Sequence, residues 1–319
     1  MKMKVALLNK SDKKVDPIHP SVLAMAKGMK RCGVKIKYRV DPWKKDYPEV
    51  DLVVCRGAGR KMMPWQKGDG FPKTIRNNRH YDYILKRNKQ KKTTLIVDTA
   101  YVTRGNYRSV GINGLHGNAY DFQKDCPNDR FKETGIKLKD WQTTGDTVFI
   151  VGQAIIDSSH SHINLLDWYR DVYNEIKENS DCNIVFKIHP KILRLPRQKR
   201  LWNKLVKENK FFPKDIEVST KPLTEEYGRA KFFVTFSSLV GVDAMLNGIP
   251  AVATDKTSMA YGVAAKSVKE MLKNYPHTPK REQWLNNLAY KQWSMKELES
   301  GVAWKYYEPE IIKKIEAGA

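Results

Sequence analysis

The chain has 319 residues, 41% of them hydrophobic and 10% aromatic, which is enough for two domains with a core each and excludes a disordered or low-complexity polypeptide. Lys and Arg number 58 against 35 Asp and Glu, and the resulting charge of +23 draws in polyanions: nucleic acid first, then an anionic membrane surface or an acidic glycan. Cys32, Cys55, Cys126 and Cys182 are scattered, with no C-x-x-C pair and no histidines at zinc spacing, so neither a disulfide framework nor a structural metal is expected, and a reducing cytoplasm fits.

The apolar run at the N-terminus is too short for a signal-peptide core, and no stretch approaches ~20 uninterrupted apolar residues, so no transmembrane segment is expected. Residues 4–8 read as a first strand, 22–32 as a helix stopped by Gly33, and 34–40, 50–55 and 93–97 as further strands. This β-α-β rhythm predicts a parallel sheet with its loops collected at one edge. From 106 to 144 the pattern turns irregular and glycine-containing, which predicts a functional loop and the approach to a linker. A second series then starts: a strand at 148–151, a helix at 163–179 with apolar positions at helical spacing, and strands at 183–188, 216–218 and 232–236. After it come a helix at 240–246 stopped by Asn247-Gly248 and a strand at 249–253. The C-terminal part reads as helical, with one helix over 281–293 and a capping box at Ser294…Glu297 opening the next. Trp304, Tyr306 and Tyr307 are expected to pack this tail against the domains. The expected fold is α/β: two Rossmann-like domains facing a cleft, residues 1–145 and 146–270, with C-terminal helices at 271–319 packing back across them.

Two strand ends in the second series carry the chemistry. The strand at 183–188 leaves the sheet at His189-Pro190, and the strand at 232–236 opens into Ser237-Ser238 before a helix. In a parallel sheet these ends share an edge, where imidazole, hydroxyls and backbone N–H groups converge on a phosphate. His189-Pro190 and Ser237-Ser238 resemble the HP and SS motifs of GT-B-type glycosyltransferases, including bacterial sialyltransferases, capsule Kdo transferases and teichoic-acid polymerases. The stretch from Ser238 through Asp243-Ala244 to Gly248-Ile-Pro-Ala-Val252 is similar to the acidic-Ala…Gly-x-Pro-x-Val segment of many GT-B donor domains. The resemblance covers residues 147–265; over the first half it is architectural. It implies that His189, Ser237 and Ser238 hold donor phosphate and that Asp243 contacts the nucleoside ribose, with Gln153 and Lys187 at the same edge as further donor contacts. The paired-acid-plus-glycine motif of the sialyltransferases has no counterpart here, which points away from sialic acid. A UDP-sugar is the expected co-substrate, with no further cofactor and no catalytic metal.

For the base that takes the acceptor proton, two residues qualify. Asp98 ends the strand at 93–97, and His116 lies among Gly111, Gly114 and Gly117, where the backbone permits close approach. A turn cap and a plain loop histidine are their respective structural alternatives. Asn113-Gly-Leu-His-Gly117, Val151-Gly-Gln153 and Trp284…Leu288-Ala-Tyr…Trp293 resemble proteins of tailed bacteriophages. That resemblance implies an enzyme in the host cytoplasm whose acceptor is a hydroxylated pyrimidine of phage DNA. Arg56, Arg60, Lys61, Lys73, Arg76 and Arg79, interleaved with Trp65, supply the phosphate contacts and stacking platform such a partner requires. A second basic run, from Lys191 and Arg194 to Lys207, reads as an exposed helix face beside the donor site. Asp157-Ser-Ser-His-Ser-His162 is expected to be a loop and not a metal site, since its two histidines fall on different faces. Two alternatives stay open. One is a capsule, lipopolysaccharide or teichoic-type glycan acceptor with a CMP, CDP or UDP donor; the other is a non-catalytic DNA-binding protein on a glycosyltransferase scaffold.

Overall fold

The computed structural model describes residues 3–9, 18–42, 44, 47–57, 79–115, 119–155, 157–160, 162–209 and 216–318. These divide into two compact units. The first holds the described residues up to 57, residues 79–134 and those from Leu285 onward; the second holds Gly135–Trp284.

The chain begins with β1 (Val5–Leu8), four apolar residues buried on both faces, which marks a central strand. Helix α1 (Pro20–Arg31) starts with proline in its first turn, capped by His19, and ends in Lys30 and Arg31. Strands β2 (Ile36–Val40) and β3 (Leu52–Arg56) follow, then α2 (Arg79–Lys89), β4 (Thr93–Thr99), β5 (Tyr107–Ile112) and α3 (Asp129–Glu133). In the second unit come β6 (Thr147–Val151), a 3-10 turn at Ser158–His160, α4 (Leu165–Asn179), β7 (Asn183–Lys187), α5 (Pro190–Arg194), α6 (Pro196–Asn209), β8 (Glu217–Ser219) and α7 (Leu223–Glu226). It continues with β9 (Ala230–Thr235), α8 (Val240–Leu246), β10 (Ala251–Ala253) and α9 (Val268–Lys273). Helix α10 (Glu282–Ala289) carries the chain back to the first unit, which β11 (Gln292–Ser294), α11 (Met295–Ser300) and α12 (Val302–Ala317) complete.

The second unit is the simpler of the two. Its five strands are all parallel in the order β10-β9-β6-β7-β8. Apolar side chains fill both faces, with Val148, Ile150 and Phe186 on one and Phe149, Val151 and Phe233 on the other. The chain runs from β6 outward to β7 and β8, then returns to the other side of β6 for β9 and β10, so the topological switch lies between β6 and β9. The Asn247-Gly248 stop forms as expected: Gly248 sits at φ +73°, and a Cβ there would lie 1.9 Å from the Asp140 carbonyl oxygen.

The first unit extends a parallel core with antiparallel strands. Its sheet order is β11-β5-β4-β3-β1-β2, with β1 to β4 parallel. The sequence reading of 106–144 as irregular is corrected by β5, which pairs antiparallel with β4 from Leu95↔Ile112 to Thr99↔Arg108. The helix expected over 281–293 stops at Ala289, and Gln292–Ser294 instead pairs antiparallel with β5. An edge strand with open N–H and C=O groups gains more from that pairing than the chain loses by ending a helix. The capping box at Ser294 and Glu297 then starts α11 as expected. Trp304 and Tyr307 are fully buried against Val97, Val110 and Trp293, so the terminal aromatics are core of the first unit. Arg87 on α2 is buried and fastens the strand starts, its guanidinium donating to the carbonyls of Val50, Asp51 and Thr93.

Candidate functional site

At the C-terminal edge of the second sheet, every strand delivers polar side chains. Strand β6 ends at Gly152-Gln153. Gly152 N–H donates to the Lys187 carbonyl at 2.8 Å, and a Cβ at Gly152 would stand 2.9 Å from that oxygen, so only glycine lets β6 turn so close to β7. The backbone N–H of Gln153 donates to the buried hydroxyl of Tyr169 at 2.7 Å, which fixes where its side chain starts.

Gln153 and Ser237 meet across the topological switch. Ser237 Oγ lies 3.3 Å from Gln153 Nε2 and 2.9 Å from Ser159 Oγ, and both Gln153 and Ser237 are buried. Ser238 is half-buried, and its hydroxyl accepts from the Val240 N–H at 3.2 Å, opening the turn into α8. Asp243 is half-buried on α8.

His189 follows β7 and caps α5: its Nδ1 accepts from the Lys191 N–H at 3.0 Å. With Nδ1 as acceptor, the neutral ring carries its proton on Nε2. Burial, reinforced by the cations of Lys191 and Arg194 against the opposing carboxylate of Asp157, pushes the imidazole pKa down to about 4. At neutral pH His189 therefore offers an uncharged N–H donor.

The Asp157–His162 stretch is tied to the same edge. His160 is fully buried with Nε2 2.9 Å from the Ala154 carbonyl, and burial lowers its pKa. Thr257 Oγ1 donates to the Ser159 carbonyl at 3.4 Å, and His162 Nε2 stands 3.0 Å from Asp255 Oδ2. Burial alone would raise the Asp255 carboxyl, but the bonds from Thr257 and His162 outweigh it and hold it below its ordinary value. Sequence reasoning missed Ser159, Thr257 and Asp255. A Ser-Ser-His-Ser-His cluster shortly after a strand end was the available signal for the first; nothing marked the other two.

Lys187 is buried, and its ammonium donates to the Lys221 carbonyl, tying β7 to the chain after β8. Burial lowers its pKa, opposed by Glu226 and Glu225. The ammonium thus has a partner inside the fold, at the edge where a donor contact was expected of it.

In the first unit, Asp98 lies at the C-terminal end of β4, as expected, and pairs with Arg56 at the end of β3. Arg56 also donates to the Val97 carbonyl at 3.3 Å and to Thr99 Oγ1 at 3.2 Å. A guanidinium held this way orients a carboxylate. Arg79 is exposed at the start of α2. Arg60, Lys61, Trp65, Lys73, Arg76 and His116 lie outside the described residues. The chain leading to His116 is informative even so. Asn113 bonds Thr94 at the start of β4, and Leu115 then folds back over the sheet beside Leu8 and Cys55, its carbonyl taking the Tyr101 hydroxyl.

No known family profile matches the chain, and no curated protein matches it in sequence. Among solved structures it is similar to a β-Kdo 2,4-transferase, KpsC of Thermosulfurimonas dismutans, with a TM-score of 0.53 and 12% identity over 92% of each chain. It is also similar to a β-Kdo 2,7-transferase, KpsC of the same organism, with a TM-score of 0.48 and 12% identity over 95% of this chain and 99% of that one. At such identity the first likeness is one of fold. The architecture is GT-B-like: two Rossmann-like α/β units with a helical C-terminus. No helix among the described residues is long and apolar enough to cross a membrane.

Proposed function

We propose that the chain is a glycosyltransferase that moves a sugar from a nucleotide-sugar donor, a UDP-sugar by preference, to a hydroxyl acceptor. One observation carries the reading: Gln153 and Ser237 meet at the topological switch of a parallel sheet, with Ser238 next in the chain and the neutral N–H donor His189 just after the neighbouring strand β7. Fixed dipoles of this kind favour a phosphate without a proton having to move first. His189 and Ser238 hold the phosphate in this reading, Ser237 and Gln153 shape its seat, and Asp243 contacts the ribose.

Transfer forms a bond from the acceptor oxygen to the anomeric carbon and breaks the bond from that carbon to the phosphate oxygen, which keeps the electron pair. The acceptor proton goes to a base, Asp98 or His116. Asp98, at a strand end with its carboxylate paired to Arg56, is the better supported of the two. We assign the acceptor as a hydroxylated pyrimidine of phage DNA, supported by the charge of +23 and by the resemblance of three sequence segments to phage proteins. A glycan acceptor is the second reading, favoured by the likeness in fold to the β-Kdo 2,4-transferase.

The test incubates the protein with UDP- and CMP-sugars and, separately, with DNA containing 5-hydroxymethylpyrimidines or with an acidic polysaccharide. Digested products are then weighed. A sugar-sized mass gain on the nucleoside supports the DNA acceptor, and a gain confined to the glycan moves the assignment there. Donor binding with no transfer to either removes both. His189→Ala is expected to weaken nucleotide binding, and loss of turnover with unchanged binding would refute its phosphate role.

A further inference from the structure

The proposed donor seat has a charge deficit. A nucleotide leaving group carries at least one negative charge and gains another as the glycosidic bond breaks, yet Gln153, Ser237 and Ser238 are neutral side chains. His189 joins them as an uncharged donor, its Nδ1 occupied by the Lys191 N–H. The one lysine inside the edge, Lys187, is buried against the Lys221 carbonyl.

Two cations stand beside this deficit. Lys191 and Arg194 occur three residues apart on α5, which places them on one face of the helix that His189 caps. Both are exposed, and among the described residues neither side chain has a hydrogen-bond or ion-pair partner. Lys191 donates its backbone N–H to His189 Nδ1 at 3.0 Å and Arg194 follows within the same short helix, so both cations are anchored within about a turn of the imidazole. Unpaired cations cost little to hold at a surface and are ready to pair with an arriving anion. The sequence pattern had merged them with the exposed face that continues along α6, but that continuation starts after a break at Leu195, and Lys199 and Arg200 lie on the later helix.

We propose that Lys191 and Arg194 are the countercharge of the donor site: they bind the nucleotide phosphate beside His189 and stabilise the charge that collects on its oxygen as the sugar leaves. The inference rests on the reading of this edge as a nucleotide-sugar site. It divides the work there, with neutral groups giving direction and the first two cations of α5 giving charge.

Calorimetric titration of the full chain with UDP, UMP and uridine tests it. Wild type is expected to bind UDP more tightly than UMP, and UMP more tightly than uridine. Lys191→Ala and Arg194→Ala are each expected to weaken UDP binding about tenfold, and the double variant about a hundredfold, with uridine binding unchanged. Arg194→Lys should recover part of the loss. The variant Lys199→Ala/Arg200→Ala removes the same charge from α6 and should leave UDP affinity within about twofold of wild type. An equal loss in that control would mean a general field and would overturn the proposal, as would retention of UDP affinity in the double variant. Uridine affinity falling together with UDP affinity would mean a structural role and would also overturn it. If wild type binds none of the three ligands, the nucleotide reading itself fails.

Discussion

In the second unit the strand ends present a crevice of neutral groups, with Gln153, Ser237 and Ser159 bonded to one another and His189 held uncharged. In the first unit the equivalent edge presents an ion pair, Arg56 with Asp98 at the ends of neighbouring strands. Both edges are products of parallel strands, so topology alone does not decide their chemistry. Neutral dipoles suit a site that receives a permanent anion, because none of them has to ionise first. A paired carboxylate suits a site that accepts a proton, because its partner fixes where the oxygens point. In the proposed reading, the second unit's edge serves recognition and the first unit's edge serves proton removal.

The sharpest way to break that division is Asp98→Asn. Turnover is expected to fall by about two to four orders of magnitude with nucleotide affinity unchanged, measured by steady-state kinetics alongside titration; equal losses in both would erase the distinction between the edges. Next in size is Trp304→Ala, which empties a fully buried site in the first unit and should cost about 3–5 kcal/mol, read by thermal or denaturant unfolding. Nucleotide binding by the second unit should persist below the melt, and its loss would show that the two cores are not separate.

Acid titration compares the units through their buried imidazoles. Burial pushes His80 of the first unit down to about 4, opposed only by its contact with the Gly57 carbonyl. The unfolded chain therefore takes up the proton first, near the ordinary pKa of about 6.5. The stabilising effect is complete above that pH and is lost as pH falls toward 4, by up to about 3 kcal/mol for such a shift. Melting temperatures at pH 7 and 5 should show the drop, and His80→Asn should reduce it, leaving the part due to His160 and His189. The smallest effect concerns Ser237→Ala, which leaves Gln153 and Ser159 without their shared hydroxyl. It should cost about 1–3 kcal/mol of stability and loosen nucleotide binding, whereas an unchanged melt would mean that the network does not hold the crevice.

The second unit was far more legible in sequence than the first, and for a physical reason. Fully buried parallel strands such as Ile184-Val-Phe186 and Phe232-Phe-Val234 are apolar runs with sharp ends, and those ends place His189 and Ser237 directly. Strand β5, Tyr-Arg-Ser-Val-Gly-Ile, hides its alternation behind arginine and glycine, so it reads as loop. Strand β11 is three residues long and is specified by its partner more than by its own composition. Side-chain commitments were equally hidden. Nothing in the spelling of Lys187 says that its ammonium is spent on the Lys221 carbonyl, and nothing near Arg56 announces Asp98 four decades of residues away. Ser159 was in view as part of a polar cluster, yet its link to Ser237 exists only once β6 and β9 are neighbours.

The return of the chain to the first unit has a consequence for biosynthesis. Strand β11, Trp304 and Tyr307 all follow the second unit in the chain, whereas the described residues of the second unit form one continuous segment made before them. The second unit has all of its strands in hand while β5 still lacks its outer neighbour and the first core still lacks its largest side chains. The first unit thus starts before the second and is completed after it, and a nascent chain stalled after Trp284 carries all strands of the second sheet while β5 of the first still has an open edge.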